Sequence, residues 1–171
     1  MKKVLILLML LMPVAVIYAK KPKVRNERII VVSPVLSEDA TYSVDSIQFK
    51  FGWKSYKDFG IDVTISNDKD SCIFVEWNNV RLGDEPICFG TDNSFTYTDK
   101  KYDEIVYDGS YTKKFIAKQS QFNNIEFARL FHWDIYKKEG RSAKIEVIIP
   151  IKSMGKTTVY RIKTMIMADI E

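Results

Sequence analysis

The chain has 171 residues, 46% of them hydrophobic and 13% aromatic, which is enough apolar side chain for one domain with a substantial core and too much for a disordered tail. Its 26 basic and 22 acidic residues give a formal net charge of +4, and the two signs are interleaved along almost the whole length. A nucleic-acid binder concentrates Lys and Arg on one face, because phosphate contact and counterion release supply its affinity, so this distribution argues against nucleic acid as a partner.

Residues 1–19 read as a secretory signal. Lys2 and Lys3 form a positive start, Val4 to Ile17 is an apolar run of 14 residues broken only by Pro13, and Ala19 supplies the small residue that signal peptidase needs, with cleavage expected between Ala19 and Lys20. As a helix the run would span about 21 Å, short of the roughly 30 Å hydrocarbon core of a bilayer. Against cleavage stands the basic flank Lys20, Lys21, Lys23, Arg25 and Arg28, which resists translocation, so an uncleaved anchor is the alternative and the only expected membrane contact. No Cys lies near Ala19, which excludes a lipoprotein anchor at that site. Cleavage leaves 152 residues with 24 basic and 22 acidic side chains, a net charge of +2.

Residues 20–28 form a basic lead-in, and 29–171 then form a single domain dominated by a two-residue period. Arg28 to Ser33 is a β-branched run. Ile47, Phe49, Phe51 and Trp53 alternate with Gln48, Lys50, Gly52 and Lys54, and Ile61, Val63 and Ile65 alternate with Asp62, Thr64 and Ser66. Asn67 to Asp70 is a polar turn, Cys72 to Asn78 a returning strand, and Gly83 to Pro86 a second turn. Shorter strands are expected at Ile87–Phe89, Phe95–Thr98, Glu104–Tyr107 and Lys114–Ala117. Ile145, Val147, Ile149 and Ile151 alternate again, a turn follows at Ser153 to Lys156, and Thr158 to Met167 runs back. Residues 121–138 fit extended structure and a short helical turn almost equally. The pattern predicts an all-β sandwich or barrel of about seven to nine antiparallel strands.

The two cysteines, Cys72 and Cys88, each alternate away from the more apolar side of their strand. In an oxidising compartment such a pair is expected to form a disulfide, worth on the order of 3 kcal/mol. There is no C-x-x-C spacing, which argues against a redox pair or a metal centre.

Two stretches carry a resemblance. Ile61-Asp62-Val63-Thr64-Ile65-Ser66-Asn67 followed by Ile73-Phe74-Val75-Glu76-Trp77-Asn78-Asn79, together with the closing pair Lys144–Ile151 and Thr158–Met167, resembles small exported bacterial β-sandwich proteins of uncharacterised function. The likeness covers about a third of the chain beyond residue 19. It implies an immunoglobulin-like sandwich and a secreted or periplasmic location, and it carries structural motifs without catalytic ones. The lipobox cysteine common in that group is missing here, as is a Pro-Pro-Gly-type turn within 90–121.

Catalytic patterns are sparse in the chain. His132 is the one histidine, so any Ser-His-Asp triad would have to use it, and no G-x-S-x-G elbow, H-E-x-x-H, phosphate loop or dinucleotide fingerprint occurs. The acids Asp99, Asp103, Glu104 and Asp108 are interleaved with Lys100, Lys101 and Tyr102, as in a solvated loop. Asn67, Asp68 and Asp70 lack the glycine and glutamate placement of a calcium loop. Trp53 and Trp77 share phase with aliphatic neighbours and are expected in the core, which leaves Trp133 as the candidate ligand-stacking residue. No catalytic residue, metal or cofactor is expected. The sequence thus points to an exported non-catalytic module that meets a protein partner in the cell envelope. A glycan-binding domain is the alternative, and an envelope hydrolase a weaker one.

Overall fold

The computed structural model describes residues 24–53, 60–91, 94–95, 103–118 and 142–170. They form twelve β-strands: β1 (Val24–Ser33), β2 (Thr41–Val44), β3 (Ile47–Trp53), β4 (Ile61–Asn67), β5 (Ile73–Glu76), β6 (Arg81–Leu82), β7 (Glu85–Thr91), β8 (Ser94–Phe95), β9 (Asp103–Val106), β10 (Ser110–Lys118), β11 (Ser142–Ser153) and β12 (Lys156–Ile170). The one helical element among the described residues is a 3-10 turn at Trp77–Asn79.

The expected alternation is realised as burial. Ile47, Phe49 and Phe51 on β3, Ile61, Val63 and Ile65 on β4, and Ile145, Val147, Ile149 and Ile151 on β11 are all buried in one apolar cluster. Side chains two apart on a strand share a face, so each of these strands delivers its aliphatic set to a single interior. Two buried polar groups are satisfied locally. The Thr164 hydroxyl donates to the Ile145 carbonyl at 3.1 Å, and the Asn67 amide is discussed below.

Every pairing is antiparallel, and a continuous ladder runs in the order β1-β12-β11-β6-β7-β10-β4-β3-β2, with the short strands β5, β8 and β9 attached beside it. The sheet curls until it is nearly barrel-shaped. Phe49 of β3 and Tyr160 of β12 meet across the interior with ring centroids 5.1 Å apart, although their strands lie in opposite halves of the ladder.

Tight turns set the registers. Val44 pairs with Ile47 around Asp45-Ser46, and Ser153 pairs with Lys156 around Met154-Gly155; in both turns the two central residues have positive φ, as type I′ hairpins demand. Gly60 is required by close approach, because a Cβ there would lie 2.2 Å from the Ile116 carbonyl oxygen.

Several boundaries differ from expectation. β1 begins at Val24, inside the expected lead-in, because β12 continues to Ile170 and offers it a partner. The strand expected to reach Asn78 stops at Glu76, where the 3-10 turn buries Trp77 completely. The turn expected over Gly83 to Pro86 is shorter: Leu82 pairs with Glu85, and Pro86 lies within β7 opposite Arg81. Residues 121–138 lie outside the described residues.

Candidate docking edge

Of the sequence candidates, the described residues include Cys72 and Cys88. Cys72 is an exposed free thiol and Cys88 a buried one, so the expected disulfide is not made. The strands are not adjacent: Cys72 directly precedes β5, which pairs with β11 and β9, whereas β7 pairs with β6, β8 and β10, where Cys88 faces Ala117. Burial pushes the Cys88 thiol up to about 11.

Trp77 is buried and Trp53 half-buried, the latter donating its indole N–H to Glu27 Oε2 at 2.6 Å. Trp133, His132, Asp99 and residues 1–19 lie outside the described residues. Asp103 and Glu104 belong to β9 rather than to a loop, and Asp108 is exposed in the turn before β10. Among the described residues no cluster of metal-ligating side chains occurs, and no helix is long and apolar enough to cross a membrane.

Asn67 is structural. Its side-chain N–H groups donate to the carbonyls of Ser71 at 2.9 Å and Val106 at 2.8 Å, while its Oδ1 accepts the Lys69 N–H at 3.1 Å. One buried amide therefore closes the turn after β4 and ties it to the end of β9, leaving no ligand position.

Among the described residues one strand edge is open. β1 pairs β12 only from Lys163 to Ile170, so among the described residues Lys156 to Ile162 is paired on one side alone, with β11. The parity follows from the hairpin. Ser153 and Lys156 close a two-residue turn and exchange hydrogen bonds, so Lys156, Thr158, Tyr160 and Ile162 direct N–H and C=O toward β11. Thr157, Val159 and Arg161 therefore aim their backbone groups outward, and all three carry exposed side chains. Val159 is 52% exposed.

The groups beside this edge are defined. Arg161 Nη1 lies 3.3 Å from Glu146 Oε2 on β11, and the Thr157 hydroxyl lies 3.5 Å from Glu76 Oε1. Inward, Tyr160 packs on Phe49, and Tyr42 of β2 stacks on Phe49 with centroids 6.1 Å apart. Burial first, then the Asp45 carboxylate that accepts its hydroxyl proton, and then Tyr42, push the Tyr160 phenol above its usual range.

The other end of the ladder is blunted. Ser37 Oγ and Asp39 Oδ1 both take the outward Thr41 N–H of β2, at 3.2 Å each. Hydrogen bonds from Ser37 first and then Thr41 hold the Asp39 carboxyl below the usual carboxylate range. Among the described residues β12 carries no such cap along its free stretch, and no proline lies there; its charges are Lys156 at the hairpin end and Arg161, which is engaged with Glu146.

A second exposed feature adjoins it. Phe74 of β5 lies directly opposite Ile105 of β9, and both are exposed on the outer face, next to Lys152. Sequence reasoning singled out none of Thr157, Val159 and Arg161, because their signal is the lack of a neighbouring strand among the described residues and not their own identity. No protein-family model, curated protein or solved structure matches this chain.

Proposed function

We propose that this protein is an exported, non-catalytic β module of immunoglobulin-like type that binds a protein partner in the cell envelope through the free edge of β12. The observation that carries the reading is the outward aim of the Thr157, Val159 and Arg161 backbone groups with no strand beside them among the described residues. An unpaired edge is a template for strand addition: main-chain hydrogen bonds supply affinity, and alternate side chains supply selectivity. The two facing halves of the sheet, sharing one apolar interior, support the sandwich reading. The apolar stretch and Ala19-Lys20 junction support export.

A glycan platform needs a Trp face open to a sugar ring. Trp77 is buried and Trp53 is engaged with Glu27, so neither described candidate favours that alternative. The test of the partner reading is site-specific photo-crosslinking in the producing cell. A photoreactive residue at Val159 is expected to give a discrete protein adduct that the same residue at exposed Lys113 does not. Equal labelling from both positions overturns the reading. An intact mass corresponding to Lys20–Glu171 is expected for the exported form, and a mass retaining residues 1–19 overturns cleavage.

A further inference from the structure

Resting on that edge reading, we infer that the strand received by β12 is β12 of a second copy of this chain, the two running antiparallel about a two-fold axis at Val159. The register follows from parity. Within Lys156–Ile162, the stretch of β12 without a second partner among the described residues, Thr157, Val159 and Arg161 direct backbone groups outward, and their midpoint is Val159. Placing Val159 opposite Val159 of the second copy sets Arg161 opposite Thr157 of the second copy, and the converse by symmetry. All three residues then fall at hydrogen-bonded positions of an antiparallel ladder, each using one N–H and one C=O. A shift by one residue would set outward groups against inward ones and leave the ladder unmade.

Charge complements this register. No like charges face each other within it, since Arg161 meets a threonine. That threonine is not isolated: its hydroxyl lies 3.5 Å from Glu76 Oε1, so the Glu76 carboxylate reaches over β11 to the place where Arg161 of the second copy arrives. Directly opposed residues stand about 5 Å apart, within reach of a guanidinium on its flexible stem. The two-fold repeats this meeting at both ends of the paired stretch. Each copy's own Arg161 is balanced by Glu146, which limits repulsion between the two sheets. Val159, 52% exposed in the single chain, is covered at the axis by its counterpart. The result is one continuous antiparallel sheet running through both copies, the symmetric arrangement most common among homodimers.

The test uses the exported protein alone. Sedimentation over a wide concentration range is expected to show a reversible monomer–dimer equilibrium. V159P deletes the outward N–H at the axis, and V159K sets two ammonium groups against each other there; each is expected to raise the dimer dissociation constant at least tenfold. E76Q is expected to raise it less and to flatten its salt dependence. In a Cys72→Ser background, V159C is expected to give a covalent dimer with a short bismaleimide, while K113C stays monomeric. A dimer indifferent to V159P and V159K overturns the inference. A monomer at every concentration, with fast exchange of the Val159 amide, also overturns it while leaving the edge open to another protein. Slow exchange of that amide in a monomer overturns both the inference and the edge reading beneath it.

Discussion

Trp53 donates its indole N–H to Glu27 Oε2 at 2.6 Å, tying β3 to β1 where the curled sheet comes back upon itself. The two residues are 26 positions apart, and their strands are not neighbours in the ladder. A hydrogen bond to an ionised acceptor in a part-buried site is worth about 1.5–3 kcal/mol. Trp53→Phe keeps most of the ring's packing and loses the donor, so a loss of that size is expected in urea unfolding. An unchanged midpoint would show that the pair does not hold the closure.

Gly60 precedes β4 where that strand passes the end of β10. A Cβ there would meet the Ile116 carbonyl oxygen at 2.2 Å, its carbon at 2.9 Å and Phe115 Cζ at 2.9 Å. Two of those atoms are backbone and cannot rotate away. Gly60→Ala is expected to cost about 2–3 kcal/mol by overpacking, against a few tenths for Gly109→Asn, where no atom lies within 4 Å and Asn tolerates the positive φ. Thermal unfolding of both variants checks the contrast.

Asn67→Ala leaves the Ser71 and Val106 carbonyls without their amide donor in a buried site, and a loss of about 2–3 kcal/mol is expected. Asn67→Asp should be worse at neutral pH, because a carboxylate would face those two carbonyls. The sign of its pH dependence follows. Burial among acceptors raises the folded-state pKa of the new acid, so the penalty appears as pH rises above the unfolded value of about 3.9 and shrinks below it. Denaturant midpoints at pH 3.5 and pH 7 separate the two variants.

The cysteines predict divergent reactivity. With both free, Cys72 exposed and Cys88 pushed up to about 11 by burial, iodoacetamide at pH 8 should modify Cys72 and spare Cys88 until the chain unfolds. Because the folded pKa of Cys88 is raised above its ordinary 9.0, the unfolded chain loses that proton first, and its contribution to stability declines as pH climbs from about 9 toward 11. Peptide mapping after labelling reads the first result; Cys88→Ala, which should lessen the decline in alkaline stability, reads the second.

Adjacent positions on β12 should respond oppositely to proline. Thr158 gives its N–H to β11 and Val159 aims its own outward. Thr158→Pro is expected to cost about 2–3 kcal/mol through the broken ladder, and Val159→Pro no more than about 1 kcal/mol. Denaturation of the dilute protein measures both, and equal costs would refute the parity on which the edge rests.

Much of the β architecture was legible in the amino-acid order. Ile47-Phe49-Phe51 and Ile145-Val147-Ile149-Ile151 announce their buried faces, since a strand repeats every two residues and burial of one face forces that repeat into the chain. Met154-Gly155 announces a tight hairpin by the same local logic. Which strands stand side by side was not written locally. Cys72 and Cys88 show the limit: they were expected to share a face and bridge, yet Cys72 is exposed, Cys88 is buried, and β5 and β7 have different neighbours.

The edge of β12 shows the limit again. Thr158 to Met167 reads as one strand, and nothing in it marks where β1 ceases to accompany it. Periodicity therefore determined the two-residue pattern and most of the core residues, and local turn chemistry the Met154-Gly155 turn, because these depend on a residue's own backbone and on the water or apolar interior around it. The tertiary structure decided strand adjacency, the closure by Trp53 and Glu27 and the stretch at Val159 left with one partner among the described residues, because these depend on hydrogen bonds and contacts between segments far apart in the chain.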